Sequence, residues 1–382
     1  MMRVLHIIAG LAQGGAEAVL YRLVSATARE INPVVISLTN EGVYAARLRE
    51  CGARVETLNM PRSRLTLKGT RALGHFITKT QPDVVQTWMY HADLVGGLVA
   101  RWSGVRSVVW GIRHANLDAD KNSFSTRVAA RACAILSSRV PAVIACCSEQ
   151  AARVHQARGY HADKFTIIPN GYDLTHFRPD EGARIRIRRE WKIAPDQTLL
   201  GLVARWDPQK DHSNLLHALA LLAQKGLDFR CALVGTNMDR ENPMLSRLIG
   251  QFDLGAKIVL TGPRNDVPDV MNALDLHVLS SVGEAFPNTV AEAMACGTPC
   301  VVTDVGDAAL IVGDTGWVAP PQNPNALAER IEQGLAALRR EQREKLGQRC
   351  RTRIVENFSL EKMVEAYRAI WERASMAGKE II

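Results

Sequence analysis

Residues Asp275 to Asp304, DLHVLSSVGEAFPNTVAEAMACGTPCVVTD, restrict the fold of this chain more than any other stretch. Leu276, Val278 and Leu279 form a short apolar run of strand type. SSVGEAFP is a loop punctuated by Gly and Pro, and Asn288 to Cys296 has helix-forming composition. Gly297-Thr298-Pro299 then precedes a second apolar run, CVV. The order is strand, loop, helix, turn and strand, one βαβ unit. Open α/β sheets bind ligands outside the carboxyl ends of their strands, which makes SSVGEAFP the candidate binding loop. The helix after it begins with unpaired N–H groups and a positive dipole end, both suited to a phosphate. Glu284 in the loop and Glu292 about one turn into the helix frame that anion site. A carboxylate is a poor partner for a phosphate, so both glutamates are better matched to hydroxyls. A diphosphate flanked by polyols satisfies these demands, and a nucleotide-sugar is such a molecule.

A chain of 382 residues exceeds what one hydrophobic core usually serves, so two domains are expected. At 47% hydrophobic and 23% charged, the composition is that of a globular protein and excludes a disordered or low-complexity one. No apolar run is long enough to span a bilayer. The opening MMRVLHIIAGLA is interrupted by His6 and reads as a first strand rather than a signal peptide. The eight cysteines show neither C-x-x-C nor paired zinc spacing, which suggests reduced thiols and no metal. Charge is uneven. Up to Ile168 there are 21 Lys and Arg against 11 Asp and Glu, a balance of +10, and the remainder carries −2. An anionic partner for the first half alone follows, and nothing suggests nucleic acid.

The first half alternates strand-like and helix-like pieces. RVLHIIAGL is followed by the Gly14-Gly15 turn and a helix, with Gly15 free to approach a ligand closely. PVVISL, a helix from Val43 to Glu50, RVETLNM, a helix near residues 65 to 79, PDVVQTW and a helix from His91 to Trp102 come next. SVVWGIRHANLD supplies a strand and a loop with Arg113, His114 and Asn116, and VPAVIACCS and KFTII close the half. Ile168-Pro169-Asn170-Gly171-Tyr172-Asp173 reads as a turn between domains. The second half restarts the alternation at TLLGLV. Arg205 and Lys210 stand five residues apart in the loop that follows, where two cations would offset a diphosphate. Arg264 sits in a strand-end turn that could lie against a base. Gly306 to Pro320 reads as a loop and short strand, and Asn325 to Glu356 and Leu360 to Ala374 as polar-faced helices. Gly14-Gly15 taken alone is equally a plain tight turn, and His114 alone equally a loop histidine satisfied by backbone.

Between Thr57 and Pro82 there is no acidic residue. Arg64, Lys68, Arg71, His75 and Lys79 recur there at steps of four, three, four and four, one face of a helix. A second acid-free stretch, Lys121 to Ser148, adds Arg127, Arg131 and Arg139. Docking of this half on an anionic membrane surface is expected.

EAFPNTVAEAMACGTPCVVTD, with its two glutamates in E-x7-E spacing, resembles the signature of retaining GT-B glycosyltransferases of glycosyltransferase family 4, the bacterial surface-polysaccharide type. The likeness is dense from Gly201 to Asp304 and thin before it. It implies two Rossmann-like α/β domains facing a cleft, with an acceptor domain at 1–170, a nucleotide-sugar domain at 171–360 and a final helix at 361–382 crossing back to the first. Gly14-Gly15-Ala16-Glu17 is similar to the family's GG-x-E turn, and PNGYD to its PNG-x-D hinge. Gly235-Thr236-Asn237-Met238 departs from the family's G-D-G-x, which leaves base contacts open. By resemblance, the catalytic set is Glu284, His114, Arg205 and Lys210. The donor is also held by Gly15, Arg264, Phe286, Pro287, Asn288, Thr289 and Glu292. The implied activity is metal-independent, retaining transfer of a sugar from a UDP- or GDP-sugar, which is substrate rather than cofactor, by a front-face route. The acceptor would be a lipid-linked glycan at the inner face of the cell membrane, reached from the cytoplasm. An epimerase or hydrolase on the same fold, or a non-catalytic scaffold, are the alternatives.

Overall fold

The computed structural model describes residues 2–61, 66–115, 117 and 122–379. The chain divides into two units, Met1–Gly171 with Leu360–Ile382, and Tyr172–Ser359. Asn116 and Arg64 lie outside the described residues.

In the first unit β1 (Val4–Ile8), α1 (Gly15–Ile31), β2 (Val34–Ser37), α2 (Tyr44–Glu50), β3 (Arg54–Thr57), α3 (Leu67–Thr80), β4 (Val84–Trp88) and α4 (Tyr90–Trp102) follow one another. β5 (Val108–Ile112), α5 (Phe124–Leu136), β6 (Val143–Cys146), α6 (Glu149–Gln156) and β7 (Phe165–Ile167) complete the alternation. The strands pair in parallel in the order β3-β2-β1-β4-β5-β6-β7. β1, β4, β5 and β6 are buried throughout, as strands covered by helices on both faces must be, and so their sequences are apolar runs rather than alternations. Helix starts are fixed by side-chain caps: Thr66 accepts from Gly69 N, Ser123 from Thr126 N and Ser148 from Ala151 N.

The second unit contains α7 (Glu181–Glu190), β8 (Leu199–Val203), α8 (His212–Gln224), β9 (Arg230–Val234), α9 (Pro243–Gln251), β10 (Ile258–Gly262), α10 (Val267–Ala273) and β11 (Leu276–Leu279). α11 (Asn288–Ala295), β12 (Cys300–Thr303), α12 (Ala308–Val312), β13 (Trp317–Ala319), α13 (Pro324–Glu341) and α14 (Arg343–Phe358) follow. Its sheet is parallel in the order β10-β9-β8-β11-β12-β13. In each sheet the order reverses once, between β1 and β4 and between β8 and β11. Those switch points are where the loops diverge and leave a crevice. Both units are thus Rossmann-like.

The last helix, α15 (Leu360–Lys379), belongs to the first unit. Met363, Val364, Tyr367, Ile370, Trp371 and Ala374 recur at helical spacing and are buried with Leu20, Leu23 and Trp88 in one core. The carboxyl-terminal helical region is three helices rather than two, broken at Gln342, whose φ of 64° ends α13. A five-residue helix, α12, occupies part of what reads in sequence as loop. No helix of the described residues is long and apolar enough to cross a membrane. The cysteines are free thiols, all buried but the half-buried Cys51.

Candidate active site

Two loops meet at the switch point of the second sheet because β8 and β11 are neighbours, with Leu276 paired to Leu200 and His277 to Gly201. The loop after β8 carries Arg205 and Lys210. The loop after β11 carries Glu284, Phe286 and Pro287 and runs into α11 with Asn288, Thr289 and Glu292. Val282 N donates to Gln209 O at 2.8 Å and Ser280 Oγ to Lys210 O at 2.8 Å, which ties the second loop to backbone carbonyls of the first. Lys210 Nζ then reaches Glu284 Oε1 at 2.5 Å, in a pair whose side chains are only 20% and 13% exposed. Ser281 Oγ donates to the same oxygen at 2.7 Å. Glu284 is therefore held from two sides, and one of its holders is a cation 74 positions away.

The floor of the loop is braced from below. Ser281 O accepts from Thr303 Oγ1 at 2.7 Å, and Ala285 O accepts from Asp307 N at 3.0 Å. Gly306 makes this approach possible: its φ is +55°, and a Cβ there would stand 2.5 Å from Ala285 O.

α11 begins at Pro287 with no side-chain cap, leaving its first turn to other partners. Asn288 Oδ1 accepts from Tyr172 OH at 2.6 Å, and buried Phe286 meets Phe358 edge-on with centroids 5.5 Å apart. At the other end of α11 the guanidinium of Arg351 donates to Ala295 O and also, at 3.0 Å, to Leu174 O. The helix is fixed at both ends, and half-buried Glu292 lies one turn in from its start.

Arg205 is exposed, its guanidinium on Asp207 at 2.7 and 3.0 Å, while Asp207 also accepts from Gln209 N at 2.9 Å. Surrounding donors hold the Asp207 carboxyl below its ordinary range despite partial burial. Behind this loop His212 stacks on Trp206 at 4.7 Å, and burial pushes its pKa down to about 4, so it is neutral.

Arg264 does not join this cluster. It stands after β10, two strands away from β8, where Asp266 holds it at 2.6 Å and Glu190 at 2.5 Å, with the Trp191 ring beneath its guanidinium. The turn after β9 is closed by backbone bonds, Met238 N on Gly235 O within it and Gly262 N at the end of β10 on Met238 O, with Met238 fully buried.

Gly15 and His114 belong to the first unit, Gly15 as the opening residue of α1 and His114 in the loop after β5. Arg113 anchors that loop. Its guanidinium donates to Asn170 Oδ1 at 2.7 Å and to Tyr367 OH at 2.5 Å, and lies over the rings of Trp88 and Tyr367. Sequence reading left out Ser281, Asp207 and Tyr172. For Asp207 a signal existed, an Asp followed by Pro in a short loop. Ser281 lies within the candidate binding loop and Tyr172 within the interdomain turn, but their partners, Glu284 and Asn288, are set by packing.

Residues 13–176 match the family model described as Glycosyltransferase Family 4, and residues 197–337 the one described as Glycosyl transferases group 1. The chain is 23% identical over 314 residues to the UDP-Gal:alpha-D-GlcNAc-diphosphoundecaprenol alpha-1,3-galactosyltransferase of Escherichia coli, covering 80% of this chain and 79% of that one. The fold is similar to that of Anabaena Alr3699/HepE, a crystal structure in complex with UDP, at a TM-score of 0.85 and 20% identity over 97% of this chain and 100% of that one. It is also similar to WaaG, a glycosyltransferase involved in lipopolysaccharide biosynthesis, at a TM-score of 0.69 and 18% identity over 96% and 98%. With a matching model on each half and this fold throughout, the chain belongs to the GT-B glycosyltransferases of the group 1 and family 4 kind.

Proposed function

We propose that this protein moves a sugar from a UDP- or GDP-sugar to a hydroxyl of a lipid-linked glycan, with retained anomeric configuration and without a metal ion, at the inner face of a membrane. The observation that carries the reading is the Lys210–Glu284 pair at the switch point, beside the first turn of α11. It sets a cation for a diphosphate next to a carboxylate for a sugar hydroxyl. In this scheme Arg205, Lys210 and the amides of Asn288 and Thr289 counter the diphosphate, and Glu292 accepts from the ribose hydroxyls. Phe286 and Pro287 shape the loop, and Arg264 would lie toward the base side. Glu284, with His114 and Gly15 of the first unit, would orient the donor sugar.

The bond between the anomeric carbon and the phosphate oxygen breaks with its electron pair passing to that oxygen. The acceptor oxygen bonds to the same face of the sugar, and its proton goes to the departing phosphate. The charge that grows on the diphosphate is what Lys210 and Arg205 stabilise. A UDP-linked donor is supported by complexes of HepE with UDP and UDP-glucose. A lipid diphosphate acceptor is supported by the activity that names the Escherichia coli relative. Membrane docking is supported by α3, on which Lys68, Arg71, His75 and Lys79 are all exposed.

The test is a titration with UDP and GDP, followed by nucleotide release from UDP- and GDP-sugars with and without lipid-linked acceptor extracts and with a chelator present. Binding of one nucleotide, and release that needs the acceptor and survives the chelator, is the expected result. Glu292→Ala should weaken nucleotide binding at least about tenfold, the worth of a charge-assisted hydrogen bond. Release of free sugar or of an epimer without acceptor would instead make the protein a hydrolase or epimerase. No nucleotide binding at all would leave a scaffold.

A further inference from the structure

Two serines follow β11 directly, Ser280 and Ser281, both fully buried and each with a different partner. Ser280 Oγ donates to Lys210 O at 2.8 Å, whereas Ser281 Oγ donates to Glu284 Oε1 at 2.7 Å. The first fixes the backbone that carries the cation of the switch-point pair, and the second fixes the carboxylate itself. Ser281 is held firmly in its turn. Its carbonyl accepts at 2.7 Å from the hydroxyl of Thr303, the fully buried last residue of β12. The amide of Val282 after it is bonded to Gln209 O at 2.8 Å. The hydroxyl that meets Glu284 therefore stands on backbone tied to a neighbouring strand on one side and to the Lys210 loop on the other.

The two oxygens of Glu284 are unequally used. Oε1 accepts from both Lys210 Nζ and Ser281 Oγ, while Oε2 has no donor among the described residues. An ionised carboxylate only accepts, with room for about four hydrogen bonds, so Oε2 is the oxygen left for a ligand hydroxyl. The two holders of Oε1 differ in kind. Lysine is a point charge on a flexible four-carbon stem and follows the strongest nearby anion. A diphosphate is such an anion, and Lys210 is the cation assigned to it above. A serine hydroxyl is short, neutral and set by its backbone, so Ser281 keeps its bond to Oε1 when Nζ turns away. That bond has an ionised acceptor and is of the stronger class.

We propose that Ser281 is a positioning residue for the donor sugar: its hydroxyl fixes Oε1 of Glu284 and so keeps Oε2 for the sugar hydroxyls while Lys210 meets the diphosphate. This role rests on the glycosyl transfer proposed above and divides the donor between the two holders of Glu284. Nucleotide and diphosphate do not depend on Ser281; the sugar does, through Glu284.

The probes are UDP, GDP and their glucose, galactose and mannose derivatives, titrated calorimetrically onto the full chain without acceptor. The quantity read is the affinity for the intact donor relative to that for its bare nucleotide. Ser281→Ala should bind the bare nucleotide as the wild type does and shift this ratio against the intact donor about tenfold, the worth of a hydrogen bond to a charged group. Ser281→Thr, which restores the hydroxyl, should recover the ratio. Glu284→Ala should shift it as well, and Ser281→Ala added to Glu284→Ala should shift it no further. A hydroxyl that works through Glu284 has nothing left to hold once the carboxylate is gone. This cycle decides the question even where the extra methyl of Thr is not accommodated, and an unfolding midpoint on each sample checks that it is folded. An unchanged ratio in Ser281→Ala, an equal loss of bare-nucleotide affinity, or losses that add to those of Glu284→Ala overturn the positioning role and leave the proposed transfer standing. Wild-type protein that binds neither nucleotide would strike the transfer, and the role of Ser281 with it.

Discussion

Lys210 and Glu284 show how much of the proposed chemistry rests on single contacts. Both side chains are largely out of water, and each is the other's counter-charge at 2.5 Å. Interactions that strengthen only as the diphosphate departs raise turnover rather than donor affinity. Lys210→Ala should therefore lower turnover about a hundredfold, the scale of removing one stabilising donor from a transition state, and change donor KM far less. Steady-state kinetics with varied donor reads the split, and a loss confined to donor affinity would refute the leaving-group role. Arg205 offers a contrast at the same scale. It is exposed and bound to its sequence neighbour Asp207, which also accepts from Gln209 N, so it can turn toward a ligand while Asp207 keeps that backbone donor. Arg264 is pinned between Asp266 and Glu190, and these partners hold it more firmly charged than an ordinary arginine. Moving it onto a nucleotide base would break two ion pairs.

Among the elements, β11 is the one on which the second unit's site depends, since it lies between β8 and β12 and launches the Glu284 loop. All four of its residues are buried, yet one is His277, whose two ring nitrogens have no hydrogen-bond partner among the described residues. Burial drives its pKa down to about 3. The unfolded chain takes up that proton near pH ~6.5 whereas the folded one does not until about 3, so stability is complete above the first value and falls as pH drops toward the second. At about pH 5 the loss is roughly 2 kcal/mol from this residue. His277→Leu should remove that slope, which urea unfolding at neutral and mildly acid pH would measure. An unaltered slope would mean that the imidazole is protonated within the fold.

Considered whole, the molecule pairs two like architectures with unlike surfaces. The balance of +10 up to Ile168 is concentrated where α3 and α5 present Lys68, Arg71, Lys79 and Arg131 to solvent. A cation near an anionic lipid surface contributes about 1 kcal/mol, so a handful is enough for reversible docking. The protein should sediment with anionic vesicles at low salt and leave them at high salt. Changing Lys68, Arg71 and Lys79 together to Glu should abolish sedimentation while nucleotide binding stays as it was. Wild-type protein that ignores such vesicles at low salt would point to an acceptor free in solution.

The sequence by itself determined the alternation of strands and helices, because apolar runs bounded by Gly and Pro are a local property of the chain. For α15 the sequence reading reached only a polar-faced helix, and burial of Met363, Val364, Tyr367, Ile370, Trp371 and Ala374 at helical spacing came with the structure. Which core that face joins is not a local property; the resemblance implied the first domain, and packing against Leu20, Leu23 and Trp88 accounts for it physically. Strand order is likewise a matter of crossovers, and it brings the Lys210 loop against the Glu284 loop while keeping Arg264 two strands off. Ser281 beneath Glu284, Tyr172 on Asn288 and the Asp307 amide on Ala285 are decided in the same way. The apolar cavity of the first unit, about 570 Å³ in volume, is the clearest case. Its lining comes from stretches between Ala9 and Ala129 that no periodicity connects, and only the parallel order of β3, β2, β1 and β4 places their carboxyl ends around one space.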